Sequence, residues 1–173
     1  VLKPGGIFYA VTPGYPHEIV LDLGARRVLR RIRTGPGPRS IESVHDRMAV
    51  VGHSEHGVVT VLDAATAGIR AELDAFAEPR YAAVHPRRRF AYVTDSAAEE
   101  LVVVDAERGL VRGRTSVPGP ARHVSISPDG STVWAVLGNA SPRIAVLDTS
   151  DPLRPKLVRT IAPPFLAHDV VFA

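Results

Sequence analysis

The sequence predicts an all-β chain in which one small antiparallel sheet is repeated in tandem, and three observations carry that prediction. Four aspartates, Asp22, Asp63, Asp105 and Asp148, recur 41, 42 and 43 residues apart, each closing a short apolar run: HEIVLD, VVTVLD, ELVVVD and RIAVLD. Upstream of each stands a second apolar run, IFYAVT (7–12), MAVVGH (48–53), FAYVTD (90–95) and VWAVLG (133–138). These runs are rich in β-branched and aromatic residues, which suits strands. Between the runs lie Gly- and Pro-rich turn signals such as SPDG (127–130), KPGG (3–6), GPGPR and PGPAR. Four short strands in a repeat of about 40–45 residues make a β-propeller blade.

Taken in chain order, each unit reads as strands A, B, C and D. Strand A follows the Pro-rich turn: SIESV (40–44), YAAV (81–84), HVSI (123–126) and DVVF (169–172). Strands B and C are the two apolar runs. Alternate residues on them, such as Val50, Val61, Tyr92, Val103 and Val146, are expected to fill the layers between blades, since a lone blade cannot bury both faces. Strand D is more polar and partly alternating: VLRRIRT (28–34), IRAELDAF (69–76), LVRGRTSV (110–117) and KLVRTIA (156–162). One solvated face explains that pattern. A helix at 25–34 competes locally, but Gly and Pro interrupt its equivalents in the other repeats. The aspartates at the end of strand C read as turn caps, accepting backbone N–H groups, rather than as catalytic acids. The expected division is a single domain: a partial blade at 1–34, blades at 35–76, 77–117 and 118–162, and the start of a further blade, or a ring-closing strand, at 163–173.

Composition narrows the function classes. The 173 residues contain no cysteine, so disulfides, thiolate nucleophiles and cysteine metal ligands are excluded. No run of 18 apolar residues spans a membrane, and the opening VLKPGGIFYAV does not read as a signal peptide. Of the 21 basic residues 19 are arginine, spread along the chain apart from Arg87, Arg88 and Arg89. No basic block reads as a nucleic-acid arm. Phosphate-binding glycine loops and nucleophile elbows are absent.

FAYVTDSAAEELVVVD, RHVSISPDGSTVWAV and PGPAR resemble the YVTN-type (YncE-like) β-propeller repeat family, a WD40-like architecture. Tyr92-Val93-Thr94-Asp95 stands at the family's naming motif and Ser127-Pro128-Asp129-Gly130 at its A–B turn, whereas the first two units read YAVT and VVGH. The resemblance implies a ring of about seven blades, of which this chain is a fragment of about four, and an exported or cell-surface location. Closure of 169–172 onto 7–34 as a four-bladed ring is the alternative.

The candidate site comes from positions that recur just before strand A. Arg39, Arg80 and Arg122 lie 17 residues after the first three aspartates, and His168 takes the same place in the fourth repeat once the insertion in DTSDPLRPKLVRT is allowed for. On a propeller these residues gather at the channel mouth, where guanidiniums favour a carboxylate, phosphate or acidic peptide side chain. Pairing of each arginine with a neighbouring blade's carboxylate is the competing reading. The next residues, Ser40, Tyr81, His123 and Asp169, vary from blade to blade as an asymmetric site would require. In the B–C loop HSEHG, His53 and His56 form a weak metal-ligand pattern, since zinc needs three or four convergent ligands; solvated loop histidines are the plainer reading. His45, His85 and Ser127 read as turn or surface residues, Glu99-Glu100 as a solvated pair, and Trp134 as packing.

The leading expectation is a non-catalytic binding module without cofactor, contacting a protein, peptide, glycan or small anion on the D–A and B–C loop face. A lactonase-like hydrolase or a haem- or metal-associated domain, as in propellers related to the family, is the alternative, with His123, His168 and the arginines acting on substrate or cofactor. A structural repeat in a surface protein is a third reading.

Overall fold

The computed structural model describes residues 2–3, 7–11, 17–22, 24–45, 47–138 and 142–172. Every regular element among them is a strand. The first sheet contains β1 (Leu2–Lys3), β2 (Ile7–Val11), β3 (His17–Asp22) and β4 (Arg27–Arg33). The second contains β5 (Pro38–Val44), β6 (Met48–His53), β7 (Val58–Asp63) and β8 (Ile69–Leu73). The third contains β9 (Pro79–Val84), β10 (Phe90–Asp95), β11 (Glu100–Asp105) and β12 (Leu110–Ser116), and the fourth β13 (Ala121–Ile126), β14 (Thr132–Leu137), β15 (Ile144–Asp148) and β16 (Lys156–Ile161). Each sheet is an antiparallel meander in sequence order, and the four do not close into a ring.

The sequence pattern explains which strands are inside. All six residues of β6 and of β10 are buried, because both faces of a central strand meet a neighbouring sheet. Between the second and third sheets, Val44, Val50, Val59 and Val61 pack against Ala82, Ala91, Val93 and Val104. Between the third and fourth, the large Tyr92 and Leu101 face Ala121, Ala135 and Ala145, large against small. Val20 and Ile32 of the first sheet meet Ile41, Val51 and Leu62 of the second. The outer strand β12 alternates exposed and half-buried residues along its length. Strands β5, β9 and β13 stand side by side on the inner edge.

The rim is laced from sheet to sheet. Arg30 Nη1 donates to the Thr66 carbonyl, Arg70 Nε to the Glu107 carbonyl at 3.2 Å and Thr115 Oγ1 to the Pro155 carbonyl at 2.7 Å. The four recurring aspartates all accept backbone N–H groups from the turn that follows: Asp22 from Ala25, Asp63 from Ala65 and Thr66, Asp105 from Arg108 and Asp148 from Ser150. Asp105 differs in being fully buried, and both its oxygens accept from Arg89 Nε at 3.0 Å.

Two expectations are corrected here. Residues 169–172 form no strand and pair with no strand among the described residues. Strand A also starts earlier than expected, at Pro38 and Pro79, where a first-strand proline has no ladder N–H to lose. The turn at 4–6 and most of the first and fourth B–C loops, 12–16 and 139–141, lie outside the described residues.

Candidate functional site

One extra residue in each inner strand positions the site. In the second sheet Pro38 pairs with His53 and Ser40 with Gly52, so Arg39 is left unopposed. In the third, Pro79 pairs with Asp95 and Ala82 with Val93, setting Arg80 and Tyr81 against Thr94 alone. In the fourth, Ala121 pairs with Leu137 and Val124 with Ala135, setting Arg122 and His123 against Val136. The three recurring arginines therefore all sit in β-bulges, which bend a strand and re-aim its side chains.

Hydroxyls hold the bulges in place. The Tyr81 N–H, displaced from the ladder, donates to Thr94 Oγ1 at 3.1 Å, and Thr94 Oγ1 donates to the Arg122 carbonyl of the next sheet at 2.7 Å. In the second sheet Gly52 stands where Thr94 stands in the third. A Cβ there would lie 3.3 Å from the carbonyl oxygens of Pro79 and Arg80. The hydroxyl comes instead from Ser40, which donates to the Arg80 carbonyl at 2.7 Å. The approach to β9 is fixed by Asp95. Its carboxylate is fully buried and accepts the N–H groups of Ala77 and Glu78, each at 2.8 Å.

The side chains so placed form a chain of ring contacts across three sheets. The Arg39 guanidinium lies 5.8 Å from the Tyr81 ring centroid. Tyr81 stacks on His123 with centroids 3.8 Å apart, and His123 meets His168 at 4.8 Å in a tilted contact. Asp169 Oδ1 stands 3.3 Å from His123 Nδ1. Burial holds the His123 imidazole below the ordinary histidine range; Asp169 opposes this, while His168, Arg122 and Arg39 add to it. The charge around the ring is therefore mostly positive. Arg80 is turned aside, its Nη2 bound to Glu78 Oε1 at 2.6 Å. Three nitrogens in this neighbourhood are buried without a hydrogen-bond partner: Arg80 Nε, Arg122 Nε and His123 Nε2.

The other candidates have different surroundings. His53 is a fully buried strand residue rather than a solvated loop histidine. Its Nε2 meets Thr60 Oγ1 at 2.9 Å, and the nearby backbone of Gly35 and Pro36 acts on the ring electrostatically while leaving Nδ1 outside hydrogen-bond geometry. His56 is exposed, and no group of three metal-ligating side chains occurs among the described residues. His85 is buried too, accepting the Arg87 N–H at Nδ1, while exposed His45 reaches the Arg88 carbonyl at 2.8 Å. Ser127 donates to Asp129 at 2.6 Å within its turn, and Glu100 pairs with Arg114 at 2.7 Å. Trp134 meets Phe172 edge-on at 5.6 Å on the wall of an open cavity of 580 Å³ that also includes Val146 and Val158.

The sequence reading missed Thr94 as a brace, Asp95 as a buried cap and Glu78 as the partner of Arg80. An acidic residue two positions before a recurring arginine was the available signal for the last.

No protein-family model and no curated protein matches the chain. Among solved structures it is similar to hydrazine synthase of Kuenenia stuttgartiensis, at 27% identity and a TM-score of 0.68 over 75% of this chain and 36% of that one. It is similar to the dihydro-heme d1 dehydrogenase NirN in complex with DHE, at 20% identity and a TM-score of 0.73 over 96% of this chain and 37% of that one. A functionally unknown protein from Desulfotomaculum acetoxidans matches at 13% identity with a TM-score of 0.82, over 96% of this chain and 56% of that one. Sheets, order and neighbours define the class: the chain is an all-β, propeller-type array of four blades. It spans between about a third and somewhat more than half the length of these structures.

Proposed function

We propose that this chain is part of a YVTN-type propeller that binds, without catalysis, the anionic group of a small molecule, peptide or glycan at the mouth formed by its D–A and B–C loops. The observation that carries the reading is the pair of buried guanidinium Nε–H groups without partners, on Arg80 and Arg122. A buried N–H that finds no protein acceptor costs about 1–3 kcal/mol, and an oxyanion removes that cost for both donors at once. The bulges set the backbone that carries these groups, and the hydroxyl braces fix it. Nuclear magnetic resonance titration with sodium acetate, watching the arginine Nε–H signals, tests the reading. The Arg122 signal is expected to shift saturably, and Arg122→Ala to abolish binding with the fold retained. Loss of fold in that variant assigns Arg122 to structure instead.

A second reading follows from the facing rings of His123 and His168. NirN is solved with DHE bound, and an anionic tetrapyrrole at this mouth would find histidine nitrogen for its metal and arginines for its carboxylates. Haem titration followed by visible absorption, with His168→Ala as control, separates it from the first. We extend the proposal to an exported location, which fractionation of the native host tests.

A further inference from the structure

The three bulge arginines are chemically unequal, and the difference lies two residues upstream. Arg80 is preceded there by Glu78, whereas Arg39 is preceded by Gly37 and Arg122 by Pro120. Both partners of the Arg80–Glu78 pair are anchored through their backbones. The Glu78 N–H donates to buried Asp95, the Glu78 carbonyl accepts from Ser96 at 2.9 Å, and the Arg80 carbonyl accepts from Ser40. The 2.6 Å contact between their side chains thus spans two residues whose backbones are already fixed. Among the described residues Arg39 and Arg122 form no such pair. Glu55 lies over Gly37 but is exposed and makes no ion pair with Arg39.

We propose that Glu78 sets the ligand's charge: as an internal counter-anion on Arg80, it tunes the mouth for a single carboxylate rather than a dianion such as sulfate or phosphate. This rests on the anion-binding reading above and adds to it the class of anion. Three guanidiniums stand against Glu78, Asp169 and the buried Asp95, so the mouth carries no excess of positive charge before the histidines are counted, and removing Glu78 creates one. A dianion brings a second charge toward the Glu78 carboxylate, which a monoanion does not. Arg80, neutralised by Glu78, contributes little net charge to the mouth. The ligand's negative end is then received on the Arg122 side of the mouth.

The test is a pair of titrations, sodium acetate and sodium sulfate, at fixed ionic strength and pH 7.5, read on the arginine Nε–H signals. The wild-type chain is expected to prefer acetate. In Glu78→Gln, sulfate affinity is expected to rise about fivefold, the scale of one half-buried charge, with acetate rising less. The double variant Glu78→Gln/Arg80→Gln has the wild-type net charge and is expected to return to the wild-type preference. A Glu78→Gln variant with an unchanged sulfate-to-acetate ratio overturns the proposal, as does a double variant that keeps the single variant's ratio. Should Glu78→Gln fail to fold, Arg80→Gln alone decides: the exposed Glu78 charge is expected to disfavour sulfate more than acetate, and equal effects on both refute the idea. If neither anion shifts the Arg122 signal in the wild-type chain, the binding site itself is refuted, an outcome distinct from failure of the Glu78 role.

Discussion

Replacing Thr94 by valine isolates the hydroxyl that ties two bulges together. The shape is nearly unchanged, so the effect is that of the lost hydroxyl and not of a cavity. The side chain is fully buried and serves the Tyr81 N–H at 3.1 Å and the Arg122 carbonyl at 2.7 Å. Each backbone group left unpaired costs about 1–3 kcal/mol. Tyr81 and Arg122 are only half-buried, so water recovers part of this and a net loss of about 2–3 kcal/mol is expected. In urea, where the slope is about 1–3 kcal/mol per molar, the midpoint is expected to fall by roughly 1–2 M at constant slope. Thr94→Ser keeps the hydroxyl and loses one methyl, worth about 0.8 kcal/mol. The valine variant must therefore be the less stable of the two. If valine is tolerated as well as serine, the methyl and not the hydroxyl is what matters at this position, and the bracing argument fails. Acetate affinity gives a second readout, since a loosened Arg122 carbonyl displaces the guanidinium that follows it.

Two further outcomes follow from the geometry. Gly57 has φ +65°, and a Cβ there would lie 2.3 Å from the Phe76 carbonyl oxygen, so Gly57→Ala is expected to cost upwards of about 2 kcal/mol; a melting temperature within a degree of wild type would contradict this. Burial, first among the causes, lowers the pKa of His53, His85 and His123. The unfolded chain therefore takes up protons at these residues below about pH 6.5 that the folded chain does not. Their contribution to stability is complete above that pH and is lost as pH falls through the lowered values. Thermal melts from pH 8 to 5 are expected to show that decline, and His53→Gln to make it shallower; stability that rises on acidification would show the sign to be wrong.

The period and the alternation of residues made the fold legible. Tyr92, Val103, Val50 and Val61 fill the layers between sheets because both faces of a central strand meet neighbours, and that requirement writes itself directly into β-branched runs. The turn-capping aspartates were readable for the same reason, since an Asx turn needs only local sequence. The bulges were not. An extra residue in a ladder depends on which carbonyl meets which N–H across strands, and Arg39, Arg80 and Arg122 look no different as bulged residues than as regular ones. His53 was misread because Gly52 and the polar residues after it resemble a loop, whereas the ring is folded inward onto Thr60. The unpaired segment at 169–172 has the composition of a strand, but composition cannot supply a partner.

The repeated bulge also decides what this scaffold can change cheaply. Past the inserted residue, each inner strand resumes its register, so the bulged side chains Arg39, Arg80, Tyr81, Arg122 and His123 are uncoupled from the ladder hydrogen bonds that hold the blade. Substitution there alters what the mouth recognises with little penalty to folding, whereas substitution at Thr94 or Asp95, a few ångströms behind, disturbs the platform itself. Variation among related chains is accordingly expected to concentrate at positions 39, 80–81 and 122–123, beside a framework, Ser40 included, that stays nearly constant.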